Sequence, residues 1–89
     1  MNQARAQATK KARLGLIGIL AADVEASRDR VAGLLTEYHR IIVDTVDIPC
    51  PVQDMTLTCV TITATTNDLG AFTGKLGLIA GVRVKSILW

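Results

Sequence analysis

Apolar residues first run unbroken through Leu14-Gly15-Leu16-Ile17-Gly18-Ile19-Leu20, between basic residues and Ala21-Ala22-Asp23. A short continuous apolar run with polar bounds is the pattern of a strand covered on both faces, and its glycines mark places where something approaches the backbone closely. Val24, Val31, Leu34, Leu35 and Tyr38 then recur at helical spacing, with Glu25, Asp29, Arg30 and Glu37 turned away. That predicts an amphipathic helix with a solvated outer face, Ala21-Ala22-Asp23 as the loop before it, and Asp23 as its cap or first-turn acid. Arg40 to Ile48 reads as a second strand, on the bulk of Ile41, Ile42, Val43 and Val46. Pro49-Cys50-Pro51 stops it, because a proline nitrogen cannot donate to a ladder. Pro49 to Met55 is then the connecting loop, and Thr56 to Ala64 is a third strand in which Thr alternates with Leu57, Cys59, Val60 and Ile62.

Thr65 to Lys85 contains a helix start, a helix, a helix stop and a strand. Thr66 or Asn67 offers a capping oxygen and Asp68 an acid for the first turn, so the helix starts near Asp68. Leu69, Phe72, Leu76 and Ile79 form its apolar stripe, and Gly81 can take the left-handed conformation that ends a helix before Val82 to Leu88 forms the fourth strand. Gly70, Gly74 and Gly77 fall together, well away from the stripe, although each glycine costs about 1 kcal/mol relative to alanine inside a helix. They mark either a merely small outer face or an oligomer contact where a second backbone packs closely.

The order β-α-β-β-α-β repeats strand, helix, strand, with Leu35 to Tyr38 matching Leu76 to Ile79. Right-handed crossovers then place both helices on one face of a four-stranded antiparallel sheet, an α+β, ferredoxin-like fold. One sheet face is left bare, and its strands are too apolar for it to be simply solvated. A homodimer or homotetramer, formed through sheet faces or by continuing the sheet across an edge, is the strongest expectation from physics alone.

Composition narrows the partners. At 89 residues the chain is one small domain, in a size range where one core is only marginally sufficient. It is 49% hydrophobic but has one each of Phe, Tyr and Trp, so stacking nucleic-acid sites are poorly supported. The net charge of +2 is too small to argue a polyanion partner for the folded part. Residues 1–12 carry Arg5, Lys10 and Lys11 and no acid, which predicts a flexible basic arm ahead of a single domain over 13–89. That arm supplies the alternative function, a nucleic-acid-associated transcriptional regulator, although nucleic acid is the less favoured partner. Lys10, Lys11 and Arg13 before Leu14 to Ala22 imitate a signal peptide; the apolar run is needed as a strand and is too short to span a bilayer. Two cysteines without zinc spacing suit a reducing, cytoplasmic setting with no membrane partner.

No nucleophile–base pair, carboxylate pair or metal cluster stands out, so the reading is non-catalytic with no metal and no cofactor assigned. His39 reads as a helix C-terminal residue favoured by the dipole, ahead of a metal site shared with Cys50 between chains. Cys59 reads as a small core residue. The candidate small-ligand site is the loop Ala21, Ala22, Asp23, Val24, where a helix N-terminus and a subunit edge would meet, together with Pro49 and Cys50.

Thr66-Asn67-Asp68-Leu69-Gly70-Ala71-Phe72-Thr73-Gly74-Lys75-Leu76-Gly77, then Ala80-Gly81-Val82-Arg83-Val84-Lys85-Ser86, resembles the small proteins called iron-only hydrogenase system regulators. Arg13-Leu14-Gly15-Leu16-Ile17-Gly18-Ile19 also fits, and the resemblance covers about Arg13 to Leu88. It implies an ACT-like form of the ferredoxin-like fold, related to the C-terminal domain of nickel-responsive regulators, and an oligomer with ligand sites at subunit contacts. It implies a regulatory role beside iron-only hydrogenase maturation and supplies no catalytic residue. Residues 1–12 cannot make a ribbon-helix-helix module and one histidine falls short of a nickel site, so neither operator nor nickel binding carries over.

Overall fold

The structure, a computed structural model, describes residues 12–50 and 54–89. The basic arm expected over residues 1–12 lies, apart from Ala12, outside the described residues, as does Pro51. Arg13–Ala22 forms the central strand β1, with Ile17 and Ile19 fully buried while Leu14 is 52% and Leu16 37% exposed. The continuous apolar run is therefore one buried alternation and one bare one, where cover on both faces was expected. Ala21 and Ala22 belong to this strand rather than to a loop.

Helix α1 spans Glu25–Glu37. Its N-cap, Val24, has no side-chain cap bond, and Asp23 instead holds Arg28 in an ion pair at 2.8 Å. Val24 is 54% exposed, so it leaves the predicted stripe. Ser27 takes the inward place, because its Oγ donates to the Ala80 carbonyl at 2.8 Å and so can be buried without an unpaired hydroxyl. Val31 is buried, with Leu34, Leu35 and Tyr38 packed against the core.

A single 3₁₀ turn, His39–Ile41, leads into β2, Ile42–Cys50. Pro49 and Cys50 are thus inside the strand that they were expected to stop. The sheet order β2-β3-β1-β4 explains it: β2 is an edge strand, where proline is tolerated because one side of the strand has no ladder to supply. Strand β3 is Met55–Ala64, and the connection to it shrinks to the residues between Cys50 and Met55, with Asp54 at φ 50°.

Helix α2, Thr66–Gly77, begins two residues ahead of the expected start. Its cap is Thr65, whose Oγ1 accepts from the Asp68 N–H at 3.1 Å, in place of Thr66 or Asn67. The helix stops at Gly77, and Gly81, at φ 76°, turns the chain into β4 rather than ending the helix directly. Strand β4 is Val82–Leu88, as the sequence predicts. Phe72 and Leu76 are fully buried and Ile79, just past the helix, is 4% exposed, so the stripe holds across the helix end. Both helices meet the same sheet face, with Tyr38 and Phe72 stacked at 4.6 Å between them. The fold is the ferredoxin-like βαββαβ arrangement.

Candidate functional site

Register decides which β2 and β3 side chains share a face. Thr45 pairs with Val60, Asp47 with Thr58 and Pro49 with Thr56, and because Thr58 and Val60 are buried these pairs point to the helix side. Helix α1 packs over β1 and against α2, while β2, whose residues Val43 to Pro49 are exposed along their length, lies at the edge of the sheet. A half-open groove of about 450 Å³ results between α1 and the β2–β3 hairpin. Val31, Ala32, Leu35 and Pro49 give it an apolar wall, and Arg28, Asp47, Thr56 and Thr58 give it a polar one. Asp47 is fixed there by the Thr58 hydroxyl, which donates to its Oδ1 at 2.8 Å. Arg28 is steered by Asp23. The groove thus presents one oriented carboxylate, one guanidinium and two hydroxyls beside apolar surface, a set suited to a small ligand with a hydrogen-bonding end and an apolar end.

The expected site residues divide. Ala21 and Pro49 line the groove. Asp23 bears on it through Arg28, and its N–H is tied to the Asp54 carbonyl at 2.8 Å, which joins the β1–α1 connection to the hairpin. Ala22 donates to the Gly81 carbonyl at 3.0 Å and Val24 donates to the Ala22 carbonyl at 2.8 Å, so both shape the loop rather than line the groove. Cys50 pairs with Met55 on the opposite sheet face. Arg28, Asp47, Thr56 and Thr58 were missed; the signal available was the polar alternation of Thr45 and Asp47 with Thr56 and Thr58, which needs the strand register to be read. His39 and Cys50 stand at opposite ends of β2, and among the described residues no three metal-ligating side chains cluster.

The other sheet face carries Leu14, Leu16, Gly18 and Leu20 of β1, Leu57 and Cys59 of β3, Val46 and Ile48 of β2, and Ile87 of β4. Cys59 lies beside Gly18 and Val46 on this face, half-buried, and is not the core residue it was expected to be. Val46 is 51% and Ile87 54% exposed. The charges on this face sit at its two borders, Asp44 on β2 and Arg83 with Lys85 on β4. On the outer surface, a β-carbon at Gly70, Gly74 or Gly77 would meet nothing within 4 Å. Lys75, between the helices, reaches Glu37 at 2.7 Å and lies 5.2 Å from the Tyr38 ring; its hydrogen bond to Glu37, then that to Tyr38, holds its ammonium above the usual lysine range. No helix among the described residues is long and apolar enough to cross a membrane.

Comparison with known proteins agrees with the fold. The uncharacterized protein TM1266 from Thermotoga maritima is 30% identical and superposes with a TM-score of 0.83, covering 86% of this chain and 96% of that one. The ACT domain from GTP pyrophosphokinase of Chlorobium tepidum, 19% identical, has a TM-score of 0.71 over 85% of this chain and 99% of that domain. The C-terminal domain of the MgtC protein from Mycobacterium tuberculosis, 10% identical, has a TM-score of 0.72 over 90% of each chain. The last two share the fold alone, so the βαββαβ arrangement of this chain is that of an ACT domain. No curated protein matches the chain. A family profile described as "Iron-only hydrogenase system regulator, putative" matches residues 13–86, and the chain belongs to this TM1266-like family.

Proposed function

We propose that the chain is a non-catalytic regulatory domain of an iron-only hydrogenase system, which senses a small ligand and works as a homo-oligomer. The observation that carries this reading is the groove between α1 and the β2–β3 hairpin. Its polar side chains are held in place before any ligand arrives, Asp47 by Thr58 and Arg28 by Asp23. Its end is tied to the Asp23–Asp54 and Ala22–Gly81 backbone bonds, so three connections meet there. A ligand bridging Arg28 and Asp47 would draw α1 and the exposed edge strand together, and that edge is where a neighbouring copy would feel the change. The two free cysteines fit a reducing, cytoplasmic setting.

Differential scanning fluorimetry against a library of small polar metabolites tests the reading. A true ligand at a hundredfold excess over its Kd stabilises by about 2.7 kcal/mol, which raises Tm by roughly 10–20 °C in a domain of this size. The shift is expected to vanish in Asp47→Ala and in Arg28→Ala. A ligand-dependent shift untouched by both variants would move the site elsewhere. Absence of any shift, with steeply salt-dependent binding to duplex DNA, would replace sensing with nucleic-acid association.

A further inference from the structure

The bare sheet face is apolar across its middle and charged only at its borders, with opposite signs on opposite edge strands. Leu16, Val46, Ile48 and Ile87 stand exposed there, and Gly18 leaves a shallow dip at the centre. Asp44 borders the face on β2, while Arg83 and Lys85 border it on β4 and have no ion-pair partner among the described residues. We infer that this face is the contact surface for a second copy of the chain, stacked so that β4 of one copy lies over β2 of the other.

The charges select both occupant and orientation. Two identical faces can be brought together by a two-fold axis lying either across the strands or along them. An axis across the strands places β4 over β4 and β2 over β2, which sets the basic edge against a basic edge and the acidic one against an acidic one. An axis along the strands exchanges the borders, so each basic edge meets an acidic one. In register, Lys85 is level with Val46 and Ile87 is level with Asp44. Lys85 therefore faces the partner's Val46 and is offset by two residues along the strand from its Asp44, an offset that the flexible lysine stem spans. Aligned packing of two twisted sheets at about 30° keeps the borders close. Four strands at about 4.8 Å spacing and some 25 Å of strand length give each copy a footprint of roughly 500 Å². The pair thus buries on the order of 1,000 Å², the lower bound of a specific interface, so the dimer forms reversibly and responds to single border charges.

This contact is the subunit half of the regulatory reading above, and it needs no ligand in the groove. Sedimentation equilibrium of the full chain over a concentration series, without added ligand, tests it separately from the metabolite screen. A reversible dimer is expected, with Leu16→Glu and Ile87→Glu each raising Kd by about 100-fold, because each buries a carboxylate that is level with no basic residue of the partner. Both side chains are exposed in the single chain, and far-ultraviolet circular dichroism confirms that the variants fold. Lys85→Glu is expected to weaken the dimer about tenfold, and adding Asp44→Lys to restore it. A chain that stays monomeric at tens of micromolar overturns the inference, including one that is monomeric and instead sediments with phosphatidylserine vesicles. A dimer indifferent to Leu16→Glu and Ile87→Glu overturns the surface. A Lys85→Glu dimer that is unchanged or tighter, or a double variant that stays weak, overturns the orientation.

Discussion

Gly15 and Gly18 sit on the same central strand and point to opposite sheet faces, so one methyl group added at each asks which face is closed. A β-carbon at Gly15 would stand 2.9 Å from the Ile87 carbonyl oxygen, 2.9 Å from Leu88 Cδ1 and 3.1 Å from Ile62 Cγ1. The half-buried Leu88 tip can rotate away. The Ile87 carbonyl belongs to the backbone of β4, which is paired with β1, and can yield only by shifting that strand. Overpacking of this kind costs about 1–3 kcal/mol, and the lower entropy of the unfolded alanine chain returns about 0.4–1 kcal/mol. Gly15→Ala is therefore expected to lose about 1–2 kcal/mol, which lowers Tm by roughly 4–16 °C in a domain of this size. At Gly18 the nearest atom to a new β-carbon is Leu57 Cδ1 at 3.8 Å, an ordinary contact, and Gly18→Ala is expected to be neutral or slightly stabilising. Urea and thermal unfolding followed by circular dichroism, at concentrations where copies do not associate, give both numbers. A neutral Gly15→Ala beside a costly Gly18→Ala would refute the assignment of faces.

Other outcomes follow from single contacts. Thr65→Ala removes the cap bond to the Asp68 N–H and is expected to cost about 1 kcal/mol in urea unfolding, while Thr66→Ala, outside the cap, costs much less. Ser27→Ala leaves the Ala80 carbonyl without its 2.8 Å donor and is expected to cost about 0.5–1.5 kcal/mol. The ammonium of Lys75 is held above the usual lysine range by Glu37 and then Tyr38, so its stabilising share is complete below the unfolded lysine value and is lost as pH rises through the folded one. The stability difference between the chain and Lys75→Met should accordingly shrink in strong alkali; a difference that grows there would contradict the sign.

The parts of the fold that were legible in the sequence are those fixed by periodicity within one element. Phe72, Leu76 and Ile79 kept their inward stripe even though the helix stops at Gly77, because a buried face is set by packing and a helix end by local bonding. Strand β4 kept its bounds because Gly81 and the β-branched run agree on where it begins. The misreadings came from facts that lie between elements. Pro49 looked like a terminator because an edge strand cannot be told from a central one before the sheet order is known. Val24 fits the helical period, but Ser27 is buried in the same turn because Ala80 supplies an acceptor from the far end of the chain. Cys59 was assigned inward on size and type, whereas strand parity places it on the bare face. The groove was half-seen for the same reason: Ala21 and Pro49 were read from their loops, while Arg28, Asp47 and Thr58 come together only through helix placement and strand register.

Native mass spectrometry on freshly purified protein tests the central claim most directly, since it counts subunits and retains bound small molecules in one spectrum. The account predicts a dimer, or a multiple of it, carrying additional mass that is lost in Asp47→Ala while the dimer persists. A bare monomer at every concentration would contradict it, because the sheet face would then be a solvated surface and the groove an unused gap beneath an edge strand.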